Sequence, residues 1–196
     1  GSSYVAFTAF TFDSTTGIIT FIDSAGSSTA STVSLLGQIG TTLFSNSLGT
    51  TNFSNNHGIF LGENAGTNAT NANYSVFLSY VAGANATNAY QSNFIGYSAG
   101  YGAINSIYSN FIGSDAGNGA TDATYSNFIG QQAGYAALGA YYSNFVGNTA
   151  GFRATNAISA NFFGSGAGYE ATNASYSIFM GEGSGYQATG ATTSVY

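Results

Sequence analysis

The chain has 196 residues, one basic side chain (Arg153), seven acidic ones and a net charge of −6. A single Arg cannot hold a phosphate backbone or an anionic bilayer surface, and no run of eighteen apolar residues offers a span, so neither nucleic acid nor membrane insertion is expected. Cysteine is absent, which removes disulfides and thiolate metal sites, while sixteen Phe and fifteen Tyr argue against disorder in a Gly-, Ser- and Asn-rich composition.

Residues 1–36 read as an N-terminal β-strand region. Tyr4 to Phe12 alternates and is rich in β-formers, Asp13-Ser14-Thr15-Thr16-Gly17 is turn chemistry, and Ile18 to Ile22 is a second strand. Asp23-Ser24-Ala25-Gly26 turns again and Thr29 to Leu36 supplies a third, so a small β-meander is expected. Opening on Gly1-Ser2-Ser3 in place of Met is expected of a processed or partial chain. Residues 37–58, broken by Gly37, Gly40, Gly49 and Gly58, read as a transition that caps a repeat array.

From residue 59 to 196 the sequence is periodic. Phe60, Phe77, Phe94, Phe111, Phe128, Phe145, Phe162 and Phe179 are spaced by seventeen, and the series closes on Tyr196. The unit is plainest in Ser92-Asn93-Phe94-Ile95-Gly96, Ser109-Asn110-Phe111-Ile112-Gly113 and Ser126-Asn127-Phe128-Ile129-Gly130. A second Gly (Gly66 to Gly185) and an Ala (Ala69 to Ala188) recur in every unit without insertion or deletion. Seventeen residues with two glycines are too short for a helical hairpin. They suit one coil of a parallel β-solenoid, two or three short strands joined by tight corners, with about 4.8 Å between coils. The expected fold class is therefore all-β, an eight-coil β-solenoid or β-roll behind a small meander. The Phe series would form a core aromatic ladder, and Asn93 to Asn161 and Asn71 to Asn173 would form amide ladders.

The residue after each Phe is also apolar: Leu61, Leu78, Ile95, Ile112, Ile129, Val146, Phe163 and Met180. Neighbours on a strand point to opposite faces. If Phe faces in, this column faces out, and an outward apolar stripe marks an interaction surface. Two arrangements are open: identical chains sharing the stripe on a common axis, three-fold by preference, or a single coil that turns both columns inward at the following Gly. Tyr101, Tyr135, Tyr169 and Tyr186 share one further column, and Tyr74, Tyr108, Tyr125, Tyr142 and Tyr176 another.

Ser-Asn-Phe-Ile-Gly-x-x-Ala-Gly resembles a lengthened form of the Ser-x-Ala-Ile-Gly-x-x-Ala repeat in head domains of trimeric autotransporter adhesins. It is more similar to repetitive shafts of bacteriophage tail-fibre-like proteins and related bacterial surface proteins. Phe12-Asp13-Ser14-Thr15-Thr16-Gly17-Ile18-Ile19-Thr20-Phe21 and the Ser27 to Leu35 stretch are similar to segments upstream of such shafts. The resemblance implies a homotrimeric, extracellular β-roll on a virion or microbial surface, with any receptor-binding tip outside this chain. Phe in place of Ala and the longer period depart from the adhesin pattern.

Little in the sequence carries reaction chemistry. His57 is the single histidine and lies outside the repeats, and no His cluster, Cys pair or His-Glu-x-x-His exists for a metal. Asp115 and Asp122 fall within one coil without equivalents elsewhere, a poor match to a glycosidase pair. No enzyme, catalytic residue, cofactor or metal is expected. The Thr column (Thr70, Thr87, Thr121, Thr155, Thr172, Thr189), interrupted by Ile104 and Leu138, is a remote ice-binding signal, and Asn52, Asn68, Asn73, Asn85 and Asn173 begin glycosylation sequons. The expected function is the shaft of an extracellular fibre or filament whose partner is itself. A self-polymerising filament joined by N-terminal strand exchange and a cell-surface glycan adhesin stand as alternatives.

Overall fold

A computed structural model describes residues 58–196 in full and, before them, the backbone of residues 7–13, 18–23 and 33–34. The chain divides into two units, Gly1–Phe44 and Ser45–Tyr196. In the first, β1 (Phe7–Asp13) pairs antiparallel with β2 (Ile18–Asp23), and β2 pairs antiparallel with β3 (Val33–Ser34). The register of β1 slips between Phe7 and Ala9, then runs from Ala9 opposite Ile22 to Asp13 opposite Ile18. Residues 37–57 of the transition segment, with Asn52 and His57 among them, lie outside the described residues.

The second unit is an all-β parallel solenoid with no helix among the described residues. Its strands are β4 (Ile59–Leu61), β5 (Val76–Leu78), β6 (Asn93–Ile95), β7 (Asn110–Ile112), β8 (Asn127–Ile129), β9 (Asn144–Val146), β10 (Asn161–Phe163) and β11 (Ile178–Met180). They form one parallel sheet in sequence order, each residue opposite its equivalent seventeen positions on. From Phe60 to Phe179 is 119 residues, or seven complete turns of seventeen. The eighth repeat read from the sequence ends in a single bridge, Ile178 to Val195, and not in a further strand.

Each coil carries less strand than its sequence suggests: one strand of three residues, plus one bridge position in the file Thr70, Thr87, Ile104, Thr121, Leu138, Thr155, Thr172 and Thr189. The rest is tight turn. The reason is a set of left-handed residues at fixed places. In the coil after Phe94 these include Ser98 (φ 52), Gly102 (φ 61), Asn105 (φ 53) and Tyr108 (φ 57). Each of these four donates its N–H to the preceding coil: Ser98 to Tyr80 O, Gly102 to Ala84 O, Asn105 to Thr87 O and Tyr108 to Tyr90 O, at 2.8–3.1 Å. A left-handed L-residue costs about 1–2 kcal/mol. Leaving the buried amide unmet would cost a similar amount, so the coil-to-coil bond offsets the strain.

The core is one ring wide. Phe77 to Phe179 are completely buried and stack at 4.7–4.8 Å between centroids, with interplanar angles of 3–6°. Phe60 is half-buried at one end, 4.6 Å from Phe77; Tyr196 lies tilted at 48° over Phe179 at the other. Each buried ring contributes roughly 1.5–3 kcal/mol, and each stacked pair about 0.5–1.5 kcal/mol more. Buried Ala files, such as Ala99–Ala116–Ala133 and Ala103–Ala120–Ala137, fill the space around the rings.

A buried Ser file closes the corner before six of the eight strands. Ser92 Oγ donates to Ser106 O (2.5 Å) in the next coil and accepts from Ser109 N (3.1 Å) in that same coil. Ser75, Ser109 and Ser143 repeat the pattern. A side-chain hydroxyl thus takes the place of a backbone acceptor where the chain bends out of sheet register.

Candidate interaction surface

The sheet face carries a three-residue strand in every coil from β4 to β11. Within each strand the Phe points inward, so its two neighbours point outward. The position after Phe forms the file Leu61, Leu78, Ile95, Ile112, Ile129, Val146, Phe163, Met180, rung over rung. Leu61, Ile112, Ile129 and Phe163 keep 38–39% of their surface exposed, and Met180 keeps 63%. The corner that would fold this file inward does not form. The following Gly (Gly96, Gly113) instead has φ of 134°, and a Cβ there would strike the backbone of the next coil at 2.5 Å.

The position before Phe forms a second outward file. Asn93, Asn110, Asn127, Asn144 and Asn161 hydrogen-bond in series, each Nδ2 to the next Oδ1, at 2.7–2.8 Å. Apolar residues continue the file at both ends, Ile59 and Val76 on one side and Ile178 and Val195 on the other. Reading the sequence for amides alone misses these ends; the column shows them once all nine rungs are aligned.

Tyrosines border the face. Tyr108, Tyr125 and Tyr142 stack at 4.9 and 5.1 Å within 9° of parallel. On another side of the coil Tyr135, Phe152, Tyr169 and Tyr186 stack at 4.9–5.2 Å, with Arg153 over the Phe152 ring at 5.2 Å and 3.9 Å from Glu170. Tyr101 is exposed in that same file, next to Asn118. In both stacks the ring faces are turned to each other and the edges outward.

The second amide series runs Asn71–Asn88–Asn105–Asp122 at 2.7–2.8 Å, stops at Gly139, and resumes at Asn156–Asn173. Asp122 also hydrogen-bonds Tyr141, whose phenol pKa is raised above its usual value, first by burial and then by the Asp122 charge. Asp115 accepts from Asn118 Nδ2 (3.1 Å) and Ser114 Oγ (3.3 Å). The two carboxylates therefore sit in separate local networks. Among the described residues no group of three or more His, Asp or Glu side chains is placed to hold a metal ion. Of the sequon residues, Asn68, Asn85 and Asn173 are exposed and Asn73 is half-buried with an unpartnered Oδ1.

Comparison of the chain with protein families, with curated proteins and with solved structures finds no match.

Proposed function

We propose that this protein is a structural one, the shaft of an extracellular fibre or filament on a virion or microbial surface, built by copies of the chain meeting along the sheet face. The observation that carries the reading is the outward apolar file from Leu61 to Met180, continuous over every strand of the solenoid. Burying the exposed parts of these eight side chains, least for Leu78, Ile95 and Val146, would contribute on the order of 6 kcal/mol per chain. Three such stripes set against two association costs of about 4–15 kcal/mol each leave room for a stable trimer at the lower end of that range. Three copies around a shared axis would cover every stripe. The N-terminal strands, read as a meander, then form a module of their own.

The sugar-binding alternative is less well supported. A sugar stacks on a free ring face, and in the Tyr108–Tyr125–Tyr142 file those faces are occupied by neighbouring rings. The filament alternative, in which N-terminal strands of one subunit complete the next, makes the polymer depend on residues 1–36.

The native mass in solution tests the proposal. A mass of three chains, with rods in negative stain, is expected. A compact monomer would overturn it, and a polymer that disappears on deletion of residues 1–36 would favour strand exchange.

A further inference from the structure

We propose that the Asn93–Asn161 file and its apolar ends fix the axial register in which copies of this chain pack through the β4–β11 sheet face. This rests on the multimeric reading above and adds what holds one copy level with the next.

The occupant is a second copy for three reasons. No charged residue stands in either outward file of the face, so nothing there selects a charged partner. The rungs repeat at the 4.7–4.8 Å spacing of the Phe stack, and a partner that meets all of them must share that spacing. The area sets the third condition. Seven inter-strand steps by one three-residue strand outline a strip of about 34 by 10 Å, roughly 340 Å². The ~800 Å² per partner of a stable interface is reached only by a partner that runs the whole length and takes in both outward files with the bordering tyrosines. The Asn file therefore lies inside the contact.

A slip of one rung costs the apolar file only its end contact, one rung in eight. It costs the Asn file more. Its amides are joined along the axis at 2.7–2.8 Å, yet each keeps a second N–H and further acceptor capacity directed off the axis. In register these meet amides of the neighbouring copy, and Val76 and Ile178 meet their own equivalents. A slip of one rung sets Val76 against Asn93 at one end and Asn161 against Ile178 at the other, covering polar groups with methyls. A polar block bounded by apolar ends acts here as a buried Asn acts in a coiled coil, where it specifies register. The block is also symmetric about Asn127, so an antiparallel pair would match its ends too; a shaft requires the parallel one.

The chain lacks cysteine, so introduced thiols report the register directly. Ile112→Cys in the full chain should oxidise to a homodisulfide as the dominant product. Mixing Ile112→Cys with Ile129→Cys detects a one-rung slip, and mixing it with Val146→Cys detects an antiparallel pair; heterodisulfides should be minor in both. Changing the five Asn to Val in the Ile112→Cys chain should keep the native mass while its homodisulfide yield falls by about tenfold as slipped registers fill. Because that variant could fail to fold, Ile59, Val76, Ile178 and Val195 changed to Asn erase the ends from exposed or half-exposed positions, with the same fall expected. Unchanged yield in a multimeric variant, or dominant heterodisulfides, overturns the register role and leaves the multimer standing. A monomeric mass overturns both.

Discussion

Two glycines of one coil separate packing from backbone strain at the residue scale. A methyl on Gly117 would run into Cδ2 of the Phe111 ring, whereas one on Gly119 would meet nothing within 4 Å, and both have positive φ (62° and 66°). Gly119→Ala should cost only the left-handed strain, about 1–2 kcal/mol. Gly117→Ala should add roughly 1–3 kcal/mol of overpacking. Denaturant midpoints of the two variants check the difference, and equal losses would mean that Gly117 does not pack on the ring. Hydroxyls give the opposite sign. Ser106 Oγ is buried without a partner in a file that is otherwise Ala, so Ser106→Ala should stabilise by about 1 kcal/mol. Ala160 interrupts the Ser file, and no hydroxyl lies below the Ser177 amide. Ala160→Ser restores one, with a gain of similar size expected from the same unfolding curves.

At the scale of the coil, the constant period is the structural determinant. Deleting residues 112–128, seventeen in all, joins Phe111 to Ile129 and keeps every later file in place. Deleting residues 112–127, one fewer, moves each later side chain by one position and turns the downstream Phe file from the inner face to the outer. The first variant should fold with the far-ultraviolet circular dichroism of a shorter solenoid. The second should lose cooperative unfolding. If both behave alike, the files are not what holds the coils together. The same logic explains what the sequence makes legible. A period without insertions aligns the Phe, Ala and Asn files on the page, and strand alternation leaves Ile112 and its equivalents either outward or turned in at the following Gly, a choice their exposure in the structure decides. The amount of strand is not legible in this way. Left-handed positions are held by Val81, Gln132, Thr149, Arg153 and Tyr142 as well as by Gly and Asn, so residue type alone conceals them. One such file did carry the signal: Asn71, Asn88, Asn105, Asp122, Gly139, Asn156, Asn173 and Gly190 are the types that tolerate positive φ. Its amide bonds and its backbone conformation are two uses of the same residues.

For the molecule as a whole, the direction of the hydrogen bonds carries a mechanical consequence. Outside the local turns, the amides of one coil bond to the coil above or below, along the axis, and almost never across it. Tension applied at the two termini of the solenoid passes through every coil but is concentrated on the bonds nearest the pulled chain, so the turn at each end opens bond by bond as in a zipper. Each turn that peels away releases seventeen residues, about 60 Å of slack chain, for a single rung of lost height. A solenoid of this design yields gradually at low force when pulled from its own ends, and resists best when neighbouring copies clamp its flank.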